Sequence, residues 1–412
     1  MHLAAARSPP NARVRRSIVV VSESTERIGA LDGLRAIAAL TVFVYHLLVL
    51  SPIVATLGGP LEWEYYGRNF DIGVEIFFVL SGYLLSRPFF RAFFGGSGVS
   101  RLRDYAIRRA LRVYPAWLAF LVVAISWNQF AFLDNTNKKP DDVLSIVGWG
   151  TLLHTWFFDP GHSSWTLSVE VAFYVALPVF ALLLFKFSKS RSLAAALFGC
   201  AALTACGFAF EWWHLMFFNA QRFVPAALVA LGPGVALGAL KEFAAQSEEI
   251  DRRLRRFARP TLAWWLGATA LFLAMSRLVS RHGYVIFGPS PPPHETIKQS
   301  LLQALIAFVL VGSTVFGSSS SFAVRAMSAR ALVAFGRLSY SFYLWHLLVL
   351  YQWENWLTVG SAGVAWRNAA FAFAITTAVA AVSFLVIEQP SIAFANRLVK
   401  RGVERRSQGS GF

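Results

Sequence analysis

LDGLRAIAALTVFVYHLLVL, residues 31–50, holds three ionisable side chains, Asp32, Arg35 and His46. Between Arg35 and His46 only Thr41 and Tyr45 interrupt an apolar run. A soluble helix of this length would carry a charged face along its whole length. The stretch instead suits a hydrocarbon core of about 30 Å, which takes about 20 helical residues to cross. It predicts a first membrane span near 35–57. The same pattern recurs near 70–90, 112–133, 165–187, 192–210, 222–240, 261–280, 299–316, 331–353 and 365–387. Ten such spans predict an all-α fold, a polytopic membrane helix bundle with both termini on one side.

Composition agrees. The 412-residue chain is 56% hydrophobic and only 15% charged, with a mean hydropathy of +0.52, which excludes a soluble two-domain protein. The net charge of +16 invites a nucleic-acid reading, but the cations lie in short clusters between apolar runs and no basic stripe is built, so no nucleic acid is expected as a partner. Of the 38 lysines and arginines, 29 fall in alternate connections, starting with the N-terminal one, and 8 in the opposite set. By the positive-inside rule this predicts an N-in, C-in protein of the inner (cytoplasmic) membrane.

Three regions follow. Residues 1–28 form a basic cytosolic segment with Arg7, Arg13, Arg15 and Arg16 but without the apolar core of a signal peptide, so the first span is expected to direct insertion. Residues 29–395 form the integral membrane domain, and 396–412 a basic cytosolic tail, with no soluble catalytic domain expected. The segment 143–158 is apolar but short and is expected in the outer interface or re-entering from it. The loop 281–298, with Pro291, Pro292 and Pro293, reads as a stiff surface loop. Cys200 and Cys206 are six apart on a helix, on different faces, which excludes a disulfide framework or a cysteine metal site. No metal is expected, and no internal repeat is visible.

Ionisable groups inside spans are costly and point to function. Arg35 and His46 are eleven residues apart, three helical turns, so they share one face about 16 Å apart. The second span opens with Asp71-Ile72-Gly73-Val74-Glu75 and continues Phe77-Phe78-Val79-Leu80-Ser81-Gly82-Tyr83. Asp71 suits a helix start, whereas Glu75 lies one turn deeper and is the better functional candidate. Arg109 and Arg112, at i,i+3 at the inner mouth of the third span, are spaced to clamp phosphates with guanidinium forks. The fourth span starts Trp165-Thr166-Leu167-Ser168-Val169-Glu170, placing a carboxylate one turn in. In the ninth, Ser339, Tyr343 and His346 form a polar stripe at i, i+4, i+7. Singly, each has an ordinary explanation as anchoring or interhelical hydrogen bonding.

Taken in order, Leu31-Asp32-Gly33-Leu34-Arg35 with His46, Phe77 to Tyr83, Arg109 to Arg112 with Tyr114-Pro115, Trp165 to Glu170, Gly336 to His346 and Glu388-Gln389-Pro390 resemble the acyltransferase-3 family of integral membrane O-acyltransferases. The resemblance covers about residues 28–395, with Trp-Thr-Leu at 165–167 where Trp-Ser-Leu is commoner. It implies that the Arg35/His46 and Arg109/Arg112 pairs are essential and that the donor is acetyl-CoA or another acyl-CoA, a co-substrate and not a bound cofactor. The acceptor is then a hydroxyl of a saccharide, glycolipid or glycosylated metabolite.

Residues and resemblance together give an expected division of labour across the lipid bilayer. Arg35, Arg109 and Arg112 bind the donor at the inner side. His46 acts as general base near the midplane, and Glu75 or Glu170 either orients it or binds the acceptor. Asp71, Ser81, Tyr83, Trp165, Ser339, Tyr343 and His346 are candidate polar lining. An acyl-His46 intermediate is the alternative chemistry. A proton-coupled transporter or lipid flippase is the alternative class, one that explains the buried His and Glu but not the arginine pair.

Overall fold

The computed structural model describes residues 11–50, 64–67, 69–95, 102–127, 143–153, 164–188, 190–218, 225–279, 292–352 and 362–409. The elements are α1 (Asn11–Leu50), α2 (Ile72–Phe94), α3 (Leu102–Ser126), α4 (Val143–Thr151), α5 (Trp165–Phe187), α6 (Leu193–Phe218), α7 (Leu228–Ala244), α8 (Glu248–Ala258), α9 (Thr261–Val279), α10 (Pro293–Phe316), α11 (Phe322–Met327), α12 (Arg330–Gln352), α13 (Ala362–Ser383) and α14 (Gln389–Gly409). A single helical turn lies at Glu64–Gly67, and no strand occurs among the described residues. The all-α membrane bundle is therefore the fold.

Within the described residues, every expected span contains a helix. Nine helices among the described residues are long and apolar enough to cross a membrane, and α7 corresponds to the sixth expected span. At 17 residues α7 is about 25 Å long, a little under a bilayer core. It is enclosed by α2, α6 and α10. Outward-facing side chains elsewhere are large and apolar, such as Phe198 (78% exposed) and Val175 (67%), as lipid contact requires.

Boundaries differ where charge hides a helix from hydropathy. The third helix starts at Leu102, ten residues before the apolar run, because its arginine-rich first turns are also helical. Helical backbone extends from Asn11 into the first span, and the last span continues beyond 387 through a widened turn at Phe384–Glu388 into α14. Pro390 explains that turn: it has no N–H to donate back along the helix, so the local register slips by one residue. The segment expected at the interface forms α4 at Val143–Thr151, which packs on α3 through Trp117 Nε1 donating to Trp149 O at 2.9 Å and Tyr114 Oη to Thr151 O at 3.0 Å. Residues 154–158 of that segment and 281–291 of the proline-containing loop lie outside the described residues, and the end of that loop, from Pro293 to Lys298, is instead the first turns of α10, with Pro293 at the helix start where no N–H is needed. Cys200 is buried, Cys206 exposed, and both are free thiols.

Two close approaches set the bundle. A Cβ on Gly336 would stand 1.8 Å from Asp32 O, so α12 crosses α1 with backbones in contact. Likewise a Cβ on Gly82 would stand 2.3 Å from Leu231 O, where α2 crosses α7. In lipid there is no hydrophobic drive between helices, so small residues that admit such contact are what hold them. An ion cluster locks the second crossing: buried Glu242 accepts Arg87 Nε at 2.7 Å and Arg91 Nε at 3.0 Å.

Candidate active site

α1, α2, α3, α5 and α12 enclose a cavity of about 330 Å³. α1 contributes Arg35, α3 contributes Arg109 and Arg112, and α5 contributes Glu170, so three guanidinium groups face one carboxylate. Arg35 is paired with Asp32 at 3.6 Å across one helical turn. The buried Nε of Arg109 has no hydrogen-bond partner among the described residues, although its guanidinium lies 5.9 Å from the Tyr105 ring. Leaving a charged donor unpaired in a low-dielectric site is costly, and an anion entering the cavity would remove that cost.

Neutral groups complete the walls. Tyr174 Oη donates to Glu170 Oε1 at 2.7 Å and Ser81 Oγ to the same oxygen at 3.4 Å. Thr166 Oγ1 and Tyr343 Oη share a hydrogen bond of 2.7 Å, and Ser339 lines the cavity one turn before Tyr343. Tyr340 Oη donates to Val113 O at 2.8 Å, tying α12 to the arginine-bearing helix.

Next to this chamber, α1 and α12 bring two histidines together. His46 Nδ1 lies 2.9 Å from Val42 O and 3.2 Å from His346 Nε2, while Nδ1 of the buried His346 lies 2.5 Å from Tyr343 O. A carbonyl only accepts, so in the neutral rings each Nδ1 carries its hydrogen. His346 Nε2 then offers its lone pair to His46 Nδ1–H, and His46 Nε2 is left as the basic nitrogen. Tyr343 links the two regions, with its carbonyl holding His346 and its hydroxyl in the cavity wall.

A separate polar group lies at the opposite end of α2. Gln303 Nε2 donates to Asp71 Oδ1 at 2.7 Å, Gln299 Nε2 to Asn69 Oδ1 at 3.1 Å, and Ser300 Oγ to Glu211 Oε1 at 2.6 Å. Glu75 has Asp71 and Glu211 as its charged neighbours, and both Glu75 Oε2 and Glu211 Oε2 are buried without hydrogen-bond partners among the described residues.

Of the residues singled out from sequence, Arg35, Arg109, Arg112, Glu170, Ser81, Ser339 and Tyr343 meet at the cavity. His46 and His346 meet each other beside it. Glu75 and Asp71 belong to the other polar group. Tyr83 is buried beneath Arg87, whose guanidinium lies 5.4 Å from its ring, and Trp165 packs edge-on against Phe78. Sequence reading passed over Tyr174, Tyr340 and Glu211. Tyr174 stands at i+4 from Glu170, and Glu211 is the lone carboxylate of an apolar run, both recognisable signals.

The described residues thus form a multi-pass helical bundle with an arginine-lined cavity beside a histidine pair. The chain belongs to the acyltransferase-3 family, whose profile, described as an acyltransferase domain, matches residues 28–388. It is similar to the peptidoglycan O-acetyltransferase OatA of Listeria monocytogenes, with 25% identity over 385 residues that cover 89% of this chain and 56% of OatA. YrhL of Bacillus subtilis, provisionally named a peptidoglycan O-acetyltransferase, is 30% identical over 188 residues, 43% of this chain and 27% of YrhL. A provisionally named O-acetyltransferase of Staphylococcus aureus, SACOL0978, is 28% identical over 40% of this chain and 26% of its own length. The chain thus spans about half the length of OatA, and its matches to the other two cover about a quarter of each. No solved structure matches the chain.

Proposed function

We propose that the protein moves an acetyl or other short acyl group from cytosolic acyl-CoA to a saccharide hydroxyl, in a glycan, glycolipid or glycosylated metabolite, at the cytoplasmic membrane. The observation that carries this reading is the excess of positive charge in the cavity, three guanidinium groups against Glu170, with the buried Arg109 Nε unpaired. Several phosphates on one ligand match several arginines in one chamber. The names of the relatives, O-acetyltransferases and in two cases peptidoglycan O-acetyltransferases, support an O-acetyl transfer and a sugar acceptor.

In this mechanism the donor phosphates rest on Arg35, Arg109 and Arg112, and the thin pantetheine arm carries the thioester toward His46, about three helical turns further along α1. His46 Nε2 takes the proton of the acceptor hydroxyl as the oxygen attacks the thioester carbonyl. The C–O bond forms, the C–S bond breaks, and the proton passes from His46 to the departing thiolate, which leaves as free CoA. His346 keeps the His46 hydrogen on Nδ1, so that Nε2 is the nitrogen that takes up and returns the proton. Direct transfer uses every one of these contacts without a covalent acyl-histidine.

The test is donor binding. In purified protein titrated calorimetrically with a non-hydrolysable acyl-CoA, Arg112→Lys should weaken affinity because lysine keeps the charge but loses the fork. Arg109→Ala should weaken it further, by roughly tenfold to a hundredfold for a lost charge-assisted contact. Unchanged affinity in folded Arg109→Ala protein would remove the donor assignment.

A further inference from the structure

A second cavity lies at the end of the bundle where α1 crosses α12, apart from the acyl-transfer chamber. It measures about 320 Å³ and is formed by α8 and the residues that follow α10. Arg252, Arg255, Arg256 and Arg259 line it, and Arg252, Arg256 and Arg259 stand at i, i+4 and i+7, one face of the same helix and its C-cap. Arg255 is paired with Asp251 at 2.5 Å, and Arg253, outside the cavity, with Glu249. No carboxylate among the described residues lies within ion-pairing distance of Arg252, Arg256 or Arg259. A further cation stands close by, with Lys241 Nζ 5.3 Å from the ring of Phe316, itself part of the wall. The wall opposite the arginines supplies Ser318 and Ser319 hydroxyls. Plain positive-inside anchoring needs charge but no cavity, and it does not need three like charges held on one face at mutual cost.

Its depth is marked by aromatic residues. Phe257, between two of the lining arginines in sequence, is 67% exposed, and its ring lies 4.8 Å from that of Trp264 at the start of α9. Trp264 Nε1 donates to Phe257 O at 3.0 Å. Exposed amphipathic rings at a span boundary sit at headgroup level. A concave cluster of unpaired guanidinium groups at that level meets lipid phosphates before any soluble anion.

We propose that this cavity binds the phosphate of an anionic lipid headgroup, through Arg252, Arg256 and Arg259, with the serine hydroxyls contacting the remaining headgroup oxygens. The source is the bilayer; a soluble phosphate such as that of a nucleotide shares the chemistry and is the competitor to separate.

The experiment is native mass spectrometry of the full chain purified in a zwitterionic detergent. Phosphatidylglycerol and phosphatidylcholine with the same acyl chains are added in turn. The wild type should retain phosphatidylglycerol preferentially, and a variant combining Arg252→Gln, Arg256→Gln and Arg259→Gln should retain it at least about tenfold less. Arg253→Gln, on the same helix but outside the cavity, should behave as wild type. Equal retention of the two lipids by wild type, or wild-type retention by the triple variant, would overturn the proposal. So would displacement of phosphatidylglycerol by coenzyme A that the triple substitution abolishes, since that outcome assigns the cavity to a soluble phosphate. Because the readout is lipid binding, it stands whether or not the transfer reaction is as proposed.

Discussion

At the scale of the residue, the chemistry rests on which nitrogen of His46 holds the proton. The Val42 carbonyl and His346 Nε2 both accept from Nδ1–H, which leaves Nε2 as the base of the proposed reaction. His46→Ala removes the base and should cut transfer by about 10²- to 10⁴-fold, with the protein inserted at wild-type level. His346→Phe leaves the Val42 carbonyl as the remaining acceptor and loosens the ring. It should lower kcat by about tenfold to a hundredfold while donor KM stays unchanged, the mark of a positioning residue. Steady-state kinetics on purified variants distinguish these outcomes. Near-normal turnover in His46→Ala would sink the general-base assignment, and a changed donor KM in His346→Phe would place that residue on the donor path instead. That Arg35 and His46 share one face of α1 was legible from their spacing alone, because helical periodicity fixes faces. The partnership of His46 with His346 was not, since it joins residues 300 apart in the chain and depends on how α1 meets α12.

At the scale of the element, two helix crossings decide whether those residues meet. Gly336 lets α12 touch α1 at Asp32, three residues before Arg35. The obstacle to a Cβ there is backbone, which cannot rotate aside, so Gly336→Ala should cost about 1–3 kcal/mol and reduce transfer as the histidines separate. Gly267→Ala meets open space and should be neutral or slightly stabilising. Thermal unfolding of the two variants in the same detergent checks the contrast. The helices themselves were legible because a bilayer imposes their length and apolarity, whereas the start of α3 was not, since its first turns carry charges that hydropathy counts against a span.

At the scale of the whole molecule, function depends on which compartment the arginine chamber faces. The crossing of α1 with α12, the Arg87 and Arg91 cluster on Glu242 and the arginines of α8 all belong to connections on one side of the alternating bundle. Those connections hold 29 of the 38 lysines and arginines. The positive-inside rule predicts that this side is cytosolic, the side of the proposed acyl-CoA donor, and that the polar group of Asp71, Glu75 and Glu211 lies toward the outside, the side of the proposed glycan acceptor. Single cysteines in a background of Cys200→Ala and Cys206→Ser provide the test. Cysteines at Ser97, Gln246 and Ser407 should resist a membrane-impermeant maleimide in intact cells and react after permeabilisation, while those at Asn135 and Pro292 should react in both. Labelling at Ser97 and Gln246 in intact cells would turn the protein over in the membrane. The chamber would then open away from the cytosol, its arginines would face a compartment without acyl-CoA, and the donor would have to be a different anionic acyl carrier.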